Sequence, residues 1–492
     1  MGVGKRFFGR NYGLILLAII LVTAFFLRFN DLSWETYGYG EVEIKQAADE
    51  YVKGNFVNNF YIFDTPPLSK YMFALSIAIF GASESALRIV PLIFGMLTIV
   101  AIFLATRKMY NEKTALLASA ITAFSILQIE FSRYAQLETM LSFFYVLTVY
   151  FLWGAVNNRK YAYVFFGLSL GLSIAIKFTS VIILVGALVY ILYTKQVKFS
   201  IKPSFSISIK NWILKSLVIA LAVFIVSWPF GFSQLYMSAD ISVNYGGQIR
   251  EQHIEADAPI MLLSFARRIF SSVESDVVYP LAMKIPILNY FLLYAVRESL
   301  LFLALLVAGI YFAARKPLQQ DRLIIIFIVT FLVLLSFQRT LISYRHIVPM
   351  VPLLAIISSR WLTKLSNSKQ FVSISVIGLI LLLYAALSGT SYSLSYNPLK
   401  NVLGVPDSEF RFSEGMRETI DYAKENCESV FTSDYYKFIM EPYYDKFSPS
   451  AECAVKGISG TAMVDEYVVS HSCVISKTIT KNSISLIEIY SC

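Results

Sequence analysis

The feature that most constrains this chain is a succession of apolar runs, each near the length of a membrane span, separated by short basic turns. The first run covers about residues 12–29. A hydrocarbon core about 30 Å thick needs roughly 20 apolar residues in a helix. Within lipid every backbone polar group must be satisfied inside the segment, so such runs read as helices. Further runs predict spans at 88–106, 115–127, 138–156, 161–176, 178–194, 212–230, 290–313, 322–337, 344–362 and 370–389, about eleven in all. Charged residues make up 15% of the chain and hydrophobic ones 57%, whereas soluble domains carry about a quarter charged. The expected fold class is a polytopic α-helical membrane protein.

The basic turns orient it. Lys5, Arg6 and Arg10 precede the first run, which ends in Phe25-Phe26-Leu27-Arg28-Phe29 without a small-residue cleavage pattern. It therefore reads as a retained helix with a cytoplasmic N-terminus rather than a signal peptide. Arg107-Lys108, Arg159-Lys160, Lys195 to Lys210, Arg315-Lys316 and Arg360 to Lys369 mark further cytoplasmic turns. The net charge of +9 is thus a matter of topology, and no nucleic-acid partner is expected. Residues 1–390 form the membrane domain, with long outer loops at 30–87 and 231–288. Residues 391–492 form a small extracytoplasmic α/β domain, with helices expected at 413–426 and 435–444 and strands at 429–432, 467–469 and 484–489. Cys427, Cys453, Cys473 and Cys492 all fall in this tail. An even number in one outer segment predicts two disulfides, with three pairings open.

The first outer loop concentrates the chemistry. Gly40–Gly54 reads as an amphipathic helix, with Ile44, Ala47, Ala48, Tyr51 and Val52 at helical spacing. Pro66-Pro67 starts a second short helix, Leu68–Phe80. Glu41, Glu43, Asp64 and Lys70 lie in this loop, and Arg28 and Arg88 end the helices that border it. A carboxylate can take the proton of an acceptor hydroxyl, and cations can stabilise a departing phosphate. Structural roles compete: Arg28 can snorkel to the interface, Glu43 can belong to a solvated helix face, and Pro66-Pro67 can be a plain turn.

The order of these residues resembles the protein O-mannosyltransferase family of GT-C membrane glycosyltransferases. Its pattern runs from an arginine ending the first helix, through an Asp-Glu pair and an aspartate before H-P-P-L-x-K, to an arginine opening the next span. Here the matching residues are Arg28, Gly40-Glu41, Asp64-Thr65-Pro66-Pro67-Leu68-Ser69-Lys70 and Arg88. Ser132 to Leu141 is similar to the family's S-R-x-x-L-L-D-S-M-L, with Arg133 and Glu138 in it. Gly167–Thr179 resembles its glycine-lysine segment and supplies Lys177. Tyr344-Arg345-His346 is similar to an element of the related lipid-A aminoarabinose transferases. Gly40 stands where the family carries its catalytic aspartate, Thr65 where it carries the motif histidine, and Glu138 where it carries an aspartate.

The resemblance implies a GT-C bundle and an inverting transfer from a polyprenyl- or dolichyl-phosphate sugar to a hydroxyl of a protein, glycan or lipid. Glu41 is the first choice as base and Asp64 the second. Arg28, Lys70, Arg88, Arg133 and Arg345 would neutralise phosphate or fix the loop carboxylates, with Glu43, Glu138 and Lys177 in support. Some relatives need a divalent metal and others do not, and no metal ligand is singled out. The expected place is a plasma or ER-type membrane. A lipid-binding scaffold without turnover and a transporter are the other classes open. A transporter would place polar residues near the bilayer midplane and repeat its halves, and no repeat is evident.

Overall fold

The computed structural model describes residues 2–54, 66–200, 206–228, 239–245, 248–254, 286–337, 344–365, 367–388, 398–399, 415–456, 461–481 and 484–492. Its membrane part opens with α1 (Gly2–Phe29), α2 (Tyr39–Val52), α3 (Leu68–Phe80), α4 (Glu84–Met109) and α5 (Glu112–Phe124). It continues through α6 (Ile126–Phe131), α7 (Glu138–Val156), α8 (Ala162–Ile176), α9 (Val181–Tyr193) and α10 (Asn211–Ser227). Helices Pro286–Arg297, Leu300–Arg315, Gln319–Phe337, Val351–Ser358 and Asn367–Leu387 follow. Among the described residues six helices are long and apolar enough to span a membrane, and five shorter apolar helices accompany them. The chain is a polytopic helical membrane protein.

Local chemistry sets the helix ends. The Ser83 hydroxyl caps α4 by accepting from Ala86 N–H at 3.2 Å, and Asn111 caps α5 by accepting from Thr114 N–H at 2.9 Å. Ser125 breaks the run predicted at 115–127 into α5 and α6. The run predicted at 290–313 is likewise two helices, because the chain turns at Glu298-Ser299 and Ser299 caps the second by accepting from Phe302 N–H.

Glycine permits the tightest helix contact. A Cβ on Gly167 would lie 2.5 Å from the Ser216 carbonyl oxygen, and one on Gly171 would lie 2.6 Å from that of Ala220. This small-xxx-small face lets the backbones of α8 and α10 touch, the usual solution where lipid supplies no hydrophobic drive between helices.

Outside the bundle, hairpins pair β1 (Val197–Ser200) with β2 (Ser206–Ile209) and β3 (Ala239–Tyr245) with β4 (Gln248–Ile254). The tail holds helices Met416–Asn426, Asp434–Met440 and Thr461–Ser470. Its strands are β5 (Val430–Thr432), β6 (Cys453–Lys456), β7 (Val474–Lys481) and β8 (Ile484–Ser491), in the order β5-β6-β8-β7. Residues 467–469, expected as a strand, lie in a helix. Cys427 pairs with Cys453 and Cys473 with Cys492. The first bond ties the end of Met416–Asn426 to β6, and the second ties the residue before β7 to the one after β8.

Candidate functional site

The first outer loop is built around Arg88, which is fully buried near the start of α4. Its Nε donates to Glu41 Oε1 at 2.8 Å and one Nη to Glu41 Oε2 at 2.7 Å. Its other contacts are the carbonyls of Leu32, Glu35 and Thr36, at 2.8–2.9 Å. Glu41 in turn accepts from Gly38 N–H at 2.9 Å, which closes the first turn of α2, and from Ala135 N–H at 2.7 Å. Four hydrogen bonds occupy the four lone-pair directions of that carboxylate. Glu41, expected as the base, is thus engaged here by Arg88 and by two backbone N–H groups.

The neighbouring arginines are used in the same way. Arg133 donates to the carbonyls of Leu27, Arg28, Asn30 and Asp31 at 2.6–3.3 Å. It thereby satisfies the orphan acceptors at the end of α1 and opposes the negative end of its dipole. Arg28 donates to the Ala24 and Ala123 carbonyls and to Ser132 Oγ, a packing that Gly95 permits because a Cβ there would collide with Ser132. Both side chains are turned into the protein, at 0% and 1% exposure. Lys70 is buried on α3, and Glu43 is half-buried on α2. Asp64 lies outside the described residues.

A second group forms elsewhere. The chain breaks at Lys177 between α8 and a short turn, Phe178–Ser180. That break brings the Lys177 ammonium 2.9 Å from Glu138 Oε1 at the start of α7. Arg345 and His346 approach from the turn Tyr344–Met350. Glu138, Tyr145, Lys177, Thr179, Arg345 and His346 line one narrow crevice. Glu138 is 1% exposed, yet its Oε2 has no hydrogen-bond partner among the described residues, and neither has Arg345 Nε. The crevice thus pairs cations with buried polar atoms that the protein leaves unused.

The turn that presents Arg345 is held from below. Tyr344 donates to Glu130 Oε1 at 2.5 Å, Arg297 pairs with Glu130 Oε2, and the Arg297 guanidinium stacks 4.6 Å from the Tyr344 ring centroid. Gln128 Nε2 donates to the Val348 carbonyl at 2.9 Å. Sequence reasoning passed over Glu130 and Arg297. The signal was available: a charged residue inside an apolar run is costly and marks a specific partner.

The tail docks on the first loop. Glu35, fully buried, accepts from Gly415 N–H at 2.9 Å and from Arg417 N–H at 2.7 Å, capping the helix Met416–Asn426 from another domain. Arg417 pairs with Glu84 at 3.1 Å. Tyr443 donates to Glu84 at 2.8 Å and accepts from Tyr37 N–H. Burial, with Glu84 adding to it, pushes the Tyr37 and Tyr443 hydroxyls well above the usual tyrosine range, so both remain neutral. Among the described residues no three His, Cys, Asp or Glu side chains gather as a metal site.

Comparison with known proteins bears on this geometry. The sequence profile of the dolichyl-phosphate-mannose-protein mannosyltransferase family matches residues 64–228, a stretch that includes Lys70, Arg88, Arg133, Glu138 and Lys177. An uncharacterised protein of Aquifex aeolicus is 33% identical over 112 residues, which is 23% of this chain and 22% of that protein. The matched stretch thus spans about a fifth of that relative's length. ArnT of Cupriavidus metallidurans in its apo state superimposes with a TM-score of 0.58 at 13% identity, over 98% of each chain. The same protein bound to undecaprenyl phosphate gives 0.57 at 13% identity, over 97% of this chain and 98% of that one. The Archaeoglobus fulgidus oligosaccharyltransferase gives 0.53 at 14% identity, over 88% of this chain and 64% of that one. At these identities the likeness is one of fold, and the fold is that of the GT-C membrane glycosyltransferases.

Proposed function

We propose that this chain, with its GT-C fold, moves a sugar from a polyprenyl-phosphate carrier to an acceptor hydroxyl with inversion. The observation that carries the reading is the crevice in which Lys177 and Arg345 converge beside buried, unused polar atoms. A lipid-linked phosphate is the anion such a pair suits, since charge-assisted contacts to phosphate are the strong ones. The profile match supports a mannose-like hexose as the sugar, and the fold shared with an undecaprenyl-phosphate-binding ArnT supports the carrier. The sugar would lie at the outer face and the lipid tail in the bilayer. Lys70 adds a cation on the first loop's side.

The acceptor hydroxyl belongs to a protein serine or threonine, a glycan or a lipid. Its proton falls to Asp64, because Glu41 is saturated by Arg88 and backbone N–H groups. The N-terminus faces the cytoplasm and the disulfide-bonded tail the outside. In purified protein given labelled polyprenyl-phosphate mannose and a hydroxyl acceptor, Asp64→Asn should lower turnover about a hundredfold or more and leave donor binding in place. Full turnover in Asp64→Asn would remove Asp64 from the mechanism. Gly40, which has no side chain where the resembled family has its aspartate, favours one other reading, a lipid-binding scaffold. Donor binding without turnover under every acceptor would select it.

A further inference from the structure

One buried carboxylate oxygen in the crevice stands apart, and it is on Glu138. Its Oε1 holds Lys177 at 2.9 Å, while Oε2 is buried and has no partner among the described residues. A buried carboxylate oxygen without a partner costs free energy unless a ligand supplies the donor. Three other buried carboxylates of the membrane part differ. Glu41 has four hydrogen bonds, Glu130 has Arg297 and Tyr344, and Asp321 has Arg360, Tyr110 and Leu318 N–H.

Distance decides what Glu138 does. Inverting glycosidases set their acid and base carboxyls on opposite faces of the ring, about 6.5–9.5 Å apart, and in-line inversion at a phosphate-linked sugar likewise puts the attacking and leaving oxygens on opposite faces. Glu138 touches Lys177, the cation assigned to the leaving phosphate, so it lies on the leaving-group side and is misplaced as a base. A phosphate oxygen held by the same ammonium at about 2.8 Å comes within about 6 Å of the Glu138 carboxylate. The hydroxyl on the carbon next to the anomeric centre falls in that range. We infer that Glu138 Oε2 accepts a hydrogen bond from the sugar's 2-hydroxyl, so that this chain takes donors bearing a hydrogen-bond donor at C2. Such a contact strengthens as positive charge develops on the ring in the transition state. The inference rests on the proposed donor site and adds a specificity-determining residue to it.

The test is equilibrium binding to the full-length protein of three probes: undecaprenyl phosphate, undecaprenyl-phosphate mannose and its 2-deoxy-mannose counterpart. Wild type should bind the mannose probe about tenfold or more tighter than the 2-deoxy probe. Glu138→Gln puts an amide NH2 where an acceptor is needed and should lose most of the preference between the two sugars, read as the ratio of their affinities so that any change in phosphate binding through Lys177 cancels. Glu138→Asp, which keeps a carboxylate, should recover part of the preference. Equal affinity of wild type for the two sugars, or an unchanged preference in Glu138→Gln, overturns the assignment of Glu138 alone. Failure of wild type to bind undecaprenyl phosphate overturns the donor site together with it.

Discussion

Two groups of cations in this molecule have the same chemistry and different surroundings. Around the first outer loop, Arg88 gives every guanidinium nitrogen to carbonyls or the Glu41 carboxylate, and the buried Arg28 and Arg133 donate to carbonyls and a hydroxyl. In the crevice, Lys177 and Arg345 stand beside Glu138 with a carboxylate oxygen and a guanidinium N–H unused. The first group holds the ends of α1, α2 and α4 in place. The second lines a narrow crevice in which Glu138 Oε2 and Arg345 Nε have no hydrogen-bond partner among the described residues. A family motif cannot separate the two cases, because the difference lies in which backbone oxygens fold back onto the guanidinium.

The contrast can be broken most sharply at Arg88. Removing one partner of a fully buried ion pair leaves the other charge stranded, at a cost of about 3–5 kcal/mol. Arg88→Met should therefore lower thermal stability in detergent more than any crevice substitution. A folded Arg88→Met protein of wild-type stability with lost donor binding would return Arg88 to the phosphate site.

The crevice should behave in the reverse way. Lys177→Met and Arg345→Met should each weaken undecaprenyl phosphate binding by about 10- to 100-fold, the equivalent of one lost charge-assisted contact. The melting temperature should change little. A large loss of stability with unchanged binding would make the crevice a scaffold as well.

How much of this was legible follows from how local each feature is. Helices α2 and α3 were readable because their signals, apolar spacing and a Pro-Pro start, lie within the segments themselves. The break at Glu298-Ser299 was hidden by apolar residues on both sides, although the Arg297-Glu298 pair marked it. Residues 467–469 are too few to separate a period of 2 from one of 3.6, and the helix won. Strand β7 escaped because it is a sheet edge with few buried side chains, so its alternation carries little hydrophobic signal. At the site, sequence named Glu138, Lys177 and Arg345 but ranked them below Glu41. The saturation of Glu41 depends on Arg88 and Ala135, 47 and 94 residues away, and no local pattern reports it.

The smallest expected effect concerns the tail. Glu35→Ala removes the acceptor for two N–H groups of the helix Met416–Asn426, a capping loss of about 1 kcal/mol. Faster hydrogen exchange in residues 415–426 should follow, with undecaprenyl phosphate affinity unchanged. Loss of that affinity would tie the tail to the crevice and blur the distinction between scaffold and site.

The central claim is that phosphate binds at Lys177 and Arg345 in the crevice and not at Arg28, Arg88 or Arg133. A structure of the full chain with bound undecaprenyl phosphate tests it directly. The account predicts the phosphate oxygens at about 2.7–2.9 Å from Lys177 Nζ and the Arg345 guanidinium, with the Arg88–Glu41 pair intact. A phosphate seated against Arg28, Arg88 or Arg133, with Glu41 displaced, would contradict it.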